Sequence, residues 1–307
     1  MRIAFFGLPL AAVLLVSDGH RLVYAAACRK APGLRRLQAK LRPNDVHLRP
    51  DVSDPRTARQ VADARPDLLV SWFWTTRLPD AILRIAPAVG VHPSLLPRHR
   101  GPDPYFWAID SGDEVTGVTA HVLDGQYDTG AVLLQRELRI DPTWNAWNLA
   151  RALDRPGLGL LREVVRAHAV GRVPPAVAQD DSAATVAPEP LDDDLAIRWS
   201  WTAARIERRV RAAAPWPGAW TEIGNRIVTL LHVRPTRLYP RTLEPAEAAV
   251  REDGVAVIRT RDAAVELLAG RIDDDAGAPG PHRVEEHLDA RGLARWIVLA
   301  RKASSHP

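Results

Sequence analysis

Cysteine is nearly absent from this chain, with Cys28 as the single one among 307 residues. One cysteine permits no intramolecular disulfide and no cysteine-based metal cluster, so we expect neither a disulfide nor a metal site. A chain without disulfides fits the reducing cytosol, and we predict a cytoplasmic protein. Lysine is scarce as well, arginine supplies most of the 41 basic residues, and the formal net charge is only +4. Such mild basicity does not by itself indicate a nucleic-acid partner.

Long hydrophobic runs are missing too. None reaches the roughly 20 residues that a membrane helix needs, so we expect no membrane partner. The first 28 residues do combine Arg2 with an apolar run and small residues, as signal peptides do. A polar break at residues 17–21 interrupts that pattern, and we favour a strand at Arg2–Phe6, a short helix, and a second strand at Arg21–Ala26.

The dinucleotide-binding fingerprint is also absent. Gly7 follows the first predicted strand, but the next residues do not form the GxGxxG pattern, and no acidic residue ends the second strand. Nicotinamide dinucleotide binding is therefore disfavoured. Gly7 is better explained as the tight turn that leaves the strand.

Short apolar runs alternate with helical patterns in the first half of the chain. This alternation predicts an α/β fold with a Rossmann-like, mainly parallel sheet. The further predicted strands are Asp67–Trp72, Val89–His92, Val115–Leu123 and Ala131–Glu137. The predicted helices start at Ser53-Asp54-Pro55, cover Pro79–Ile85, and cover Trp144–His168 with a break near Pro156-Gly157.

Proline, alanine and aspartate dominate residues 174–195, which we interpret as a linker between a catalytic domain at 1–173 and a C-terminal domain at 196–307. The C-terminal domain begins with a helical pattern at Trp201–Ala214 and continues in β runs joined in one place by the hairpin signal Gly224-Asn225. These features predict a small, mainly β, OB-like domain. The predicted β runs are Arg226–Val233, Val255–Thr260 and Ala264–Leu268.

Nine arginines lie between Ile197 and Arg241. Four of them fall near one helix, namely Arg205, Arg208, Arg209 and Arg211. Such a stretch could follow an RNA backbone. It could equally form a solvated face or dock against the first domain.

One histidine and one carboxylate stand out as candidates for chemistry. His92 ends a predicted strand, and strand ends form the crevice of an open α/β sheet. The loop after it is stiffened by four prolines, and Gly101 in that loop permits unusual backbone angles. Asp128 lies in a polar turn between two later strands, with Asp124 as a competing carboxylate. A fixed imidazole beside a carboxylate suits general acid–base work, although a single histidine and a polar turn also occur as structural features.

These residues carry a family resemblance. The segment SLLPRHRGPDP, followed by TGVTAHVLDGQYDTGAVLLQ, resembles the formyltransferase family that uses 10-formyltetrahydrofolate. The family pattern is Asn-x-His-x-Ser-x-Leu-Pro-x-x-Arg-Gly with a later Asp-x-Gly, and it is met from His92 to Gly101 and from Asp128 to Gly130. The stretch Ala214–Thr221 is similar to the PWPGA segment of methionyl-tRNA formyltransferases. The resemblance spans residues 2 to 270.

The resemblance implies the formyltransferase fold, with 10-formyltetrahydrofolate as formyl donor to a primary amine and no metal. By it, His92 and Asp128 are the catalytic pair. Trp72 and Trp74 would line the folate pocket, although they also fit a structural core. The complete set implied around the folate is Trp72, Phe73, Trp74, Leu78, Ser94, Arg100, Asp124, Gln126 and Tyr127.

Gly90 departs from the family pattern, because the motif asparagine falls at this position. In the family the amide donates a hydrogen bond to the formyl oxygen, and the loss of one such donor typically lowers the rate about 10²–10³-fold. A backbone N–H, a water or another side chain could replace it. Alternatively, the chain has lost catalysis and acts as a folate- or RNA-binding module.

The acceptor implied by the resemblance is the amine of methionyl-tRNA or of a nucleotide-linked amino sugar. Methionyl-tRNA formyltransferases carry a long basic insertion after the second strand, whereas the corresponding segment Cys28–Val46 is comparatively short. We interpret this segment as a solvated amphipathic helix. Its length favours a small amine over tRNA.

Overall fold

The computed structural model describes residues 1–28, 31–223, 226–273 and 285–304, which fall into two compact units. The N-terminal unit comprises Met1–Pro104, Val115–Arg139 and Ala150–Pro188. The C-terminal unit comprises Tyr105–Glu114, Ile140–Leu149 and Glu189–Pro307. Each unit is assembled from separate stretches of the chain, and the domain boundaries at residues 173 and 195 stay a prediction.

A seven-stranded sheet organises the N-terminal unit. Its strands are β1 (Arg2–Gly7), β2 (Arg21–Ala27), β3 (Val46–Leu48), β4 (Leu68–Trp72), β5 (Ala88–His92), β6 (Val115–Val122) and β7 (Val132–Arg139). They lie in the order β3-β2-β1-β4-β5-β6-β7. Strands β1 to β5 pair in parallel, whereas β6 pairs antiparallel with both β5 and β7. The predicted α/β fold with a mainly parallel sheet is confirmed.

The first two strands form the centre of the core because they are apolar along almost their whole length. Every residue of β1 after Arg2 and every residue of β2 after Arg21 is buried. Helix α1 (Pro9–Ser17) connects them and starts with proline, whose missing N–H has no partner to lose there. The predicted strand–helix–strand order at the N-terminus is therefore confirmed. Among the helices of the described residues, none combines the length and apolarity required to cross a membrane.

Gly7 allows β1 and β4 to approach closely at their carboxyl ends. Its φ angle is 143°, which side chains rarely tolerate. A Cβ atom at this position would lie 1.8 Å from the carbonyl oxygen of Trp72. Glycine is therefore required at this position by the close packing of the two strands. This explains Gly7 without a dinucleotide-binding role.

Short helices α2 (Leu34–Lys40), α3 (Pro55–Asp63) and α4 (Asp80–Leu83) complete the early part of the chain. Helix α3 begins as predicted, since the Asp54 side chain accepts a hydrogen bond from the backbone N–H of Arg56 at 2.9 Å. Another short helix, α5 (Pro104–Ser111), and the long helix α6 (Ala146–Ala169) follow.

One prediction about helix α6 is wrong. We expected a break near Pro156-Gly157, but the helix continues through both residues. Proline removes one helical hydrogen bond, but burial of the apolar face stabilises the helix, with Leu160 and Val164 almost fully buried. Gly157 serves close packing, since a Cβ there would lie 2.8 Å from the indole ring of Trp72. The Pro-Gly pair marks a close helix–sheet contact and does not end the helix.

The described part of the C-terminal unit is mainly antiparallel β structure, which confirms the predicted mainly β, OB-like class. Its strands are β8 (Ala219–Ile223), β9 (Arg226–Thr236), β10 (Ala248–Val250), β11 (Ala256–Arg259), β12 (Ala264–Asp273) and β13 (Glu285–Asp289). Its helices are α7 (Asp192–Leu195), α8 (Ala203–Ala213) and α9 (Ala290–Ser304). The sheet order is β10-β11-β12-β9-β8, with β13 on β12. The predicted turn Gly224-Asn225 lies outside the described residues, and the strands on either side of it pair antiparallel.

A buried ion cluster links α5 and α8 within the C-terminal unit. Asp110 is only 2% exposed and accepts hydrogen bonds from Arg205 and from Arg209, whose Nε lies at 2.7 Å. Burial acts to raise the pKa of Asp110, but the hydrogen bonds and charges of Arg209 and Arg205 outweigh it and hold the pKa below its ordinary value. Both guanidinium groups also lie over the ring of Trp201, at 4.9 and 5.1 Å. Two arginines of the basic stretch are thus engaged by a carboxylate of their own unit.

Replacing this carboxylate should destabilise the protein strongly. Asp110→Asn leaves two desolvated guanidinium groups without their counterion, which we expect to lower the free energy of unfolding by about 3–5 kcal/mol. Urea denaturation measures the change. Asp80→Asn is the matched control, because the ion pair of Asp80 with Arg84 is exposed and such pairs contribute at most about 1 kcal/mol.

The same cluster makes the free energy of unfolding depend on pH. The pKa of Asp110 is lower in the folded state than in the unfolded state. The contribution of Asp110 to the stability of the folded protein is therefore complete at neutral pH. It decreases as the pH falls from about 4, the ordinary aspartate value, through the folded pKa. Asp110→Asn should therefore lose less stability on acidification than the unaltered chain. Equal acid sensitivity, or equal loss in the Asp110 and Asp80 variants, would contradict this account.

Candidate active site

His92 and Asp128 meet at the end of β5. The His92 Nδ1 and the Asp128 Oδ2 lie 3.4 Å apart, with 6% of the histidine and 19% of the aspartate side chain exposed. The other ring nitrogen of His92 donates to the carbonyl of His99 at 2.7 Å, which fixes the ring plane. Asp128 adopts a left-handed φ of 56°, unusual for a side-chain-bearing residue. The structure thus brings together the two residues that the sequence singled out, and their catalytic roles stay a prediction.

His121 is a third member of this cluster that the sequence did not single out. Its Nε2 lies 3.5 Å from the Asp128 Oδ1, whereas His92 faces the Oδ2, and only 3% of its side chain is exposed. Its Nδ1 donates to the carbonyl of Val122 at 2.9 Å. Burial lowers the pKa of His121, and the negative charge of Asp128 opposes that decrease. A histidine inside the otherwise buried run of β6 was the signal that could have found it.

Gly90 faces this cluster from β5. It lies directly opposite His121 in the antiparallel register of β5 and β6. A Cβ built at Gly90 would lie 2.8 Å from the Cδ2 of Leu123 and 3.6 Å from the Nε2 of His121. The space beside Gly90 is therefore occupied by two side chains of the neighbouring segment.

The loop after His92 is held by chain segments far away in sequence. The backbone N–H of Gly101 donates to the Asp128 Oδ2 at 3.0 Å. Gly101 has a φ of 123°, and a Cβ there would lie 2.8 Å from the Ala187 carbonyl oxygen. Arg100 also pairs through its backbone with Thr185 and Ala187, at 2.9 and 2.7 Å. The loop therefore has a defined position relative to the carboxylate.

Gln179 connects the predicted residue Arg100 to the Asp128 turn. The Arg100 Nε and Nη2 donate to the Gln179 Oε1 at 3.0 and 2.8 Å. The Gln179 Nε2 in turn donates to the carbonyls of Asp128 and Gly130, at 2.8 and 2.7 Å. Arg100 thus acts on the turn through a bridging amide. Sequence reasoning missed Gln179 because it lies in a stretch without a motif.

The aromatic loop after β4 is largely packed. Trp72 is 5% and Leu78 is 6% exposed. Trp74 packs edge-on against Phe6 at 5.9 Å, and Phe73 packs against Trp72 at 4.9 Å. The Trp74 Nε1 is buried and has no hydrogen-bond partner among the described residues. These side chains form a wall of the core beside the strand ends. The Trp74 indole N–H is available to donate a hydrogen bond to an acceptor.

The remaining predicted contacts divide into buried and exposed ones. Ser94 is fully buried and donates to the Arg98 carbonyl at 2.6 Å, so it stabilises the loop. Asp124 closes its turn by accepting hydrogen bonds from the Gln126 backbone N–H at 3.0 Å and from the Thr129 hydroxyl at 2.8 Å. The Gln126 side chain is exposed, and Tyr127 is 56% exposed. Within the described ranges, no group of three or more His, Cys, Asp or Glu side chains is arranged to hold a metal ion.

Comparison with known proteins agrees with this geometry. The formyl transferase family matches residues 11–165, and its C-terminal domain family matches residues 192–278. A methionyl-tRNA formyltransferase of Anaeromyxobacter sp. (strain K) is 36% identical over 273 residues, which cover 84% of this chain and 85% of that protein. A methionyl-tRNA formyltransferase of Roseiflexus castenholzii is 37% identical over 237 residues, 72% of this chain and 75% of that one.

Solved structures share the fold at low sequence identity. HypX from Aquifex aeolicus, in complex with tetrahydrofolic acid, has a TM-score of 0.64 and 19% identity, covers 98% of this chain, and is matched over 48% of its own length. The chain therefore spans about half of HypX. An N-formyltransferase from Helicobacter canadensis, in complex with folinic acid and dTDP-3-aminofucose, has a TM-score of 0.60 and 14% identity, with coverage of 86% and 98%.

The mainly parallel α/β sheet carries a histidine–carboxylate cluster at a strand end, the edge at which open α/β sheets bind their ligands. The two family matches and the relatives at 36–37% identity are more specific. The chain belongs to the formyltransferase family and is an enzyme of formyl transfer.

Removal of the bridging amide should lower activity without unfolding the protein. Gln179→Leu keeps most of the side-chain volume but leaves two carbonyls of the Asp128 turn unpaired, so the carboxylate loses its fixed position. We expect kcat for formyl transfer to fall about 10- to 100-fold, as small displacements of catalytic groups do. Gln38→Leu, at an exposed site on α2, is the matched control. A Gln179→Leu variant as active as this control would show that the bridge does not position Asp128.

Proposed function

We propose that the chain transfers the formyl group of 10-formyltetrahydrofolate to a primary amine. The observation that carries the proposal is the contact of His92 with Asp128 at the end of β5, in a chain of the formyltransferase family. The amine nitrogen attacks the formyl carbon, and the leaving N10 of the folate needs a proton. One proton must pass from the amine to N10, and an imidazole beside a carboxylate is suited to carry it.

The proposed donor site lies at the carboxyl ends of β4 and β5, where open α/β sheets bind their ligands. The segment from Trp72 to Leu78 supplies an apolar wall. The unpartnered Nε1 of Trp74 fits a polar group of the pterin. Support also comes from HypX, which shares the fold and binds tetrahydrofolic acid.

Methionyl-tRNA is the first candidate for the acceptor. The relatives at 36–37% identity, which match 72% and 84% of this chain, are methionyl-tRNA formyltransferases. In addition, a cleft of about 710 Å³ in the C-terminal unit is lined by four basic side chains and by Glu207, which pairs with one of them: Arg208, Arg211, His232 and Arg234, with Glu207 on Arg211. Basic side chains along a cleft suit the phosphate backbone of RNA.

A nucleotide-linked amino sugar is the second candidate. In the described part of the segment between β2 and β3, the longest helix is α2 (Leu34–Lys40), and Leu37 is its one buried residue. Such a segment offers little surface to hold the end of a tRNA. The Helicobacter canadensis enzyme with the same fold was solved with dTDP-3-aminofucose.

The two proposed catalytic residues can be tested directly. His92→Ala and Asp128→Asn should each lower kcat about 10²–10⁴-fold, because each removes part of the proton relay. The folate affinity, measured by calorimetry, should change little. Asp63→Asn, an exposed carboxylate on α3, serves as the control and should retain full activity. Full activity in either active-site variant would refute its assignment.

An acceptor assay separates the two candidates. The chain is incubated with 10-formyltetrahydrofolate and either methionyl-tRNA or a nucleotide-linked amino sugar, and the formylated product is measured. We expect turnover with methionyl-tRNA that weakens as salt rises, since RNA binding releases counterions. Turnover with the amino sugar alone would select the second candidate. Formate release without any amine would indicate hydrolysis, and folate binding without turnover would indicate a binding module.

A further inference from the structure

His121, the residue opposite Gly90 on β6, directs its imidazole to the space that a side chain at Gly90 would enter. Gly90 and His121 are cross-strand partners, and an ideal Cβ at Gly90 would lie 3.6 Å from the His121 Nε2. Gly90 does not have a left-handed φ, so its backbone does not require glycine. The glycine therefore leaves room for its neighbours on β6 and the segment that follows it.

The hydrogen bonds of the two imidazoles determine where their protons lie. The Nε2 of His92 and the Nδ1 of His121 each face a backbone carbonyl, at 2.7 and 2.9 Å. Carbonyl oxygens only accept, so both of these nitrogens carry hydrogen. A neutral imidazole has one N–H. The nitrogens that face Asp128 therefore gain a proton only when a ring becomes cationic.

Burial lowers the pKa of His121, and the negative charge of Asp128 opposes that effect and favours an extra proton. The two carboxylate oxygens of Asp128 face the His92 Nδ1 and the His121 Nε2, at 3.4 and 3.5 Å. Without a proton between them, the carboxylate would face two nitrogen lone pairs. A proton on one of the two nitrogens replaces one of these repulsions with an attraction and makes the cluster of His92, Asp128 and His121 neutral. When His121 holds this proton, its Nε2–H is a hydrogen-bond donor beside Gly90.

We propose that His121 supplies, from the strand opposite Gly90, the hydrogen bond to the formyl oxygen that an asparagine supplies in the family pattern. The inference rests on the proposed formyl transfer. The amine nitrogen bonds to the formyl carbon, and the π electrons of the carbonyl move to its oxygen. The Nε2–H of His121 donates to this oxyanion. When the carbonyl re-forms, the carbon–N10 bond breaks, and N10 receives the proton that the amine loses.

A pair of volume-matched variants tests the donor. His121→Leu removes the donor, and His121→Gln retains an N–H donor on a side chain of similar size. We expect His121→Leu to lower kcat about 10²–10³-fold with the KM for the folate nearly unchanged, as for the loss of one oxyanion donor. His121→Gln should stay within about tenfold of the unaltered chain. Equal activity of both variants, whether high or low, overturns the proposal.

A second experiment moves the donor back to β5. His121→Ala opens the space beside Gly90, and Gly90→Asn in that background places an amide there. The double variant should recover at least about tenfold in kcat over His121→Ala. Circular dichroism and folate binding by calorimetry show which variants are folded. A folded double variant without any recovery overturns the proposal.

Gly90→Asn alone gives a test that leaves His121 in place. The flexible end of Leu123 must shift for it to fit. Because the donor is already present, we expect no large gain in kcat. A gain of about 10²-fold or more would show that the amide was simply missing and would overturn the proposal. If the unaltered chain formylates no amine at all, the proposed function fails, whereas normal turnover in His121→Leu refutes only the role of His121.

Discussion

The partly buried charge of Asp128 is the constraint on which the N-terminal site depends. A carboxylate removed from water must be hydrogen-bonded or paired, and here the partners are the Gly101 N–H and the two imidazoles. Its left-handed backbone is a conformation that typically costs about 1–3 kcal/mol. The Gln179 amide offsets that strain by binding the carbonyls of the same turn. Segments that are distant in sequence, around Gly101, His121 and Gln179, therefore all hold this carboxylate in place.

The second buried carboxylate, Asp110, shows how different partners give a different outcome. It is paired with Arg205 and Arg209, and a guanidinium group does not lose its proton in a protein. The pairing therefore fixes a permanent charge and contributes only structure. Asp128 faces two imidazoles, and an imidazole, unlike a guanidinium group, can both gain and lose a proton. The same side chain acts as a structural anchor in one unit and is suited to proton transfer in the other.

The sequence predicts those features that depend on neighbours along the chain. The alternation of apolar runs, the capped start of α3 and the ends of the strands are local, and His92 and Asp128 stand out by their place at such ends. Gln179 comes into the site through long-range contacts that no local pattern reports. His121 comes into it through strand register, and its place within the β6 run was the one local signal for it. The error at Pro156-Gly157 has the same origin. A local rule predicted a break, but burial of the helix face and its contact with Trp72 stabilise a continuous helix.

The sheet also explains why a motif position can change without loss of the chemistry around it. Side chains on directly opposed residues of an antiparallel pair have their Cβ atoms about 4.5–5.5 Å apart, so either strand can place a group at the same point. At the site, β5 carries Gly90 and β6 carries His121 at that register position. A donor on β6 differs from an amide in one respect, because the Nε2 of His121 carries a hydrogen for the formyl oxygen only when the imidazole holds an extra proton. Formyl transfer through His121 would thus depend on the charge of Asp128 more directly than transfer through a neutral amide.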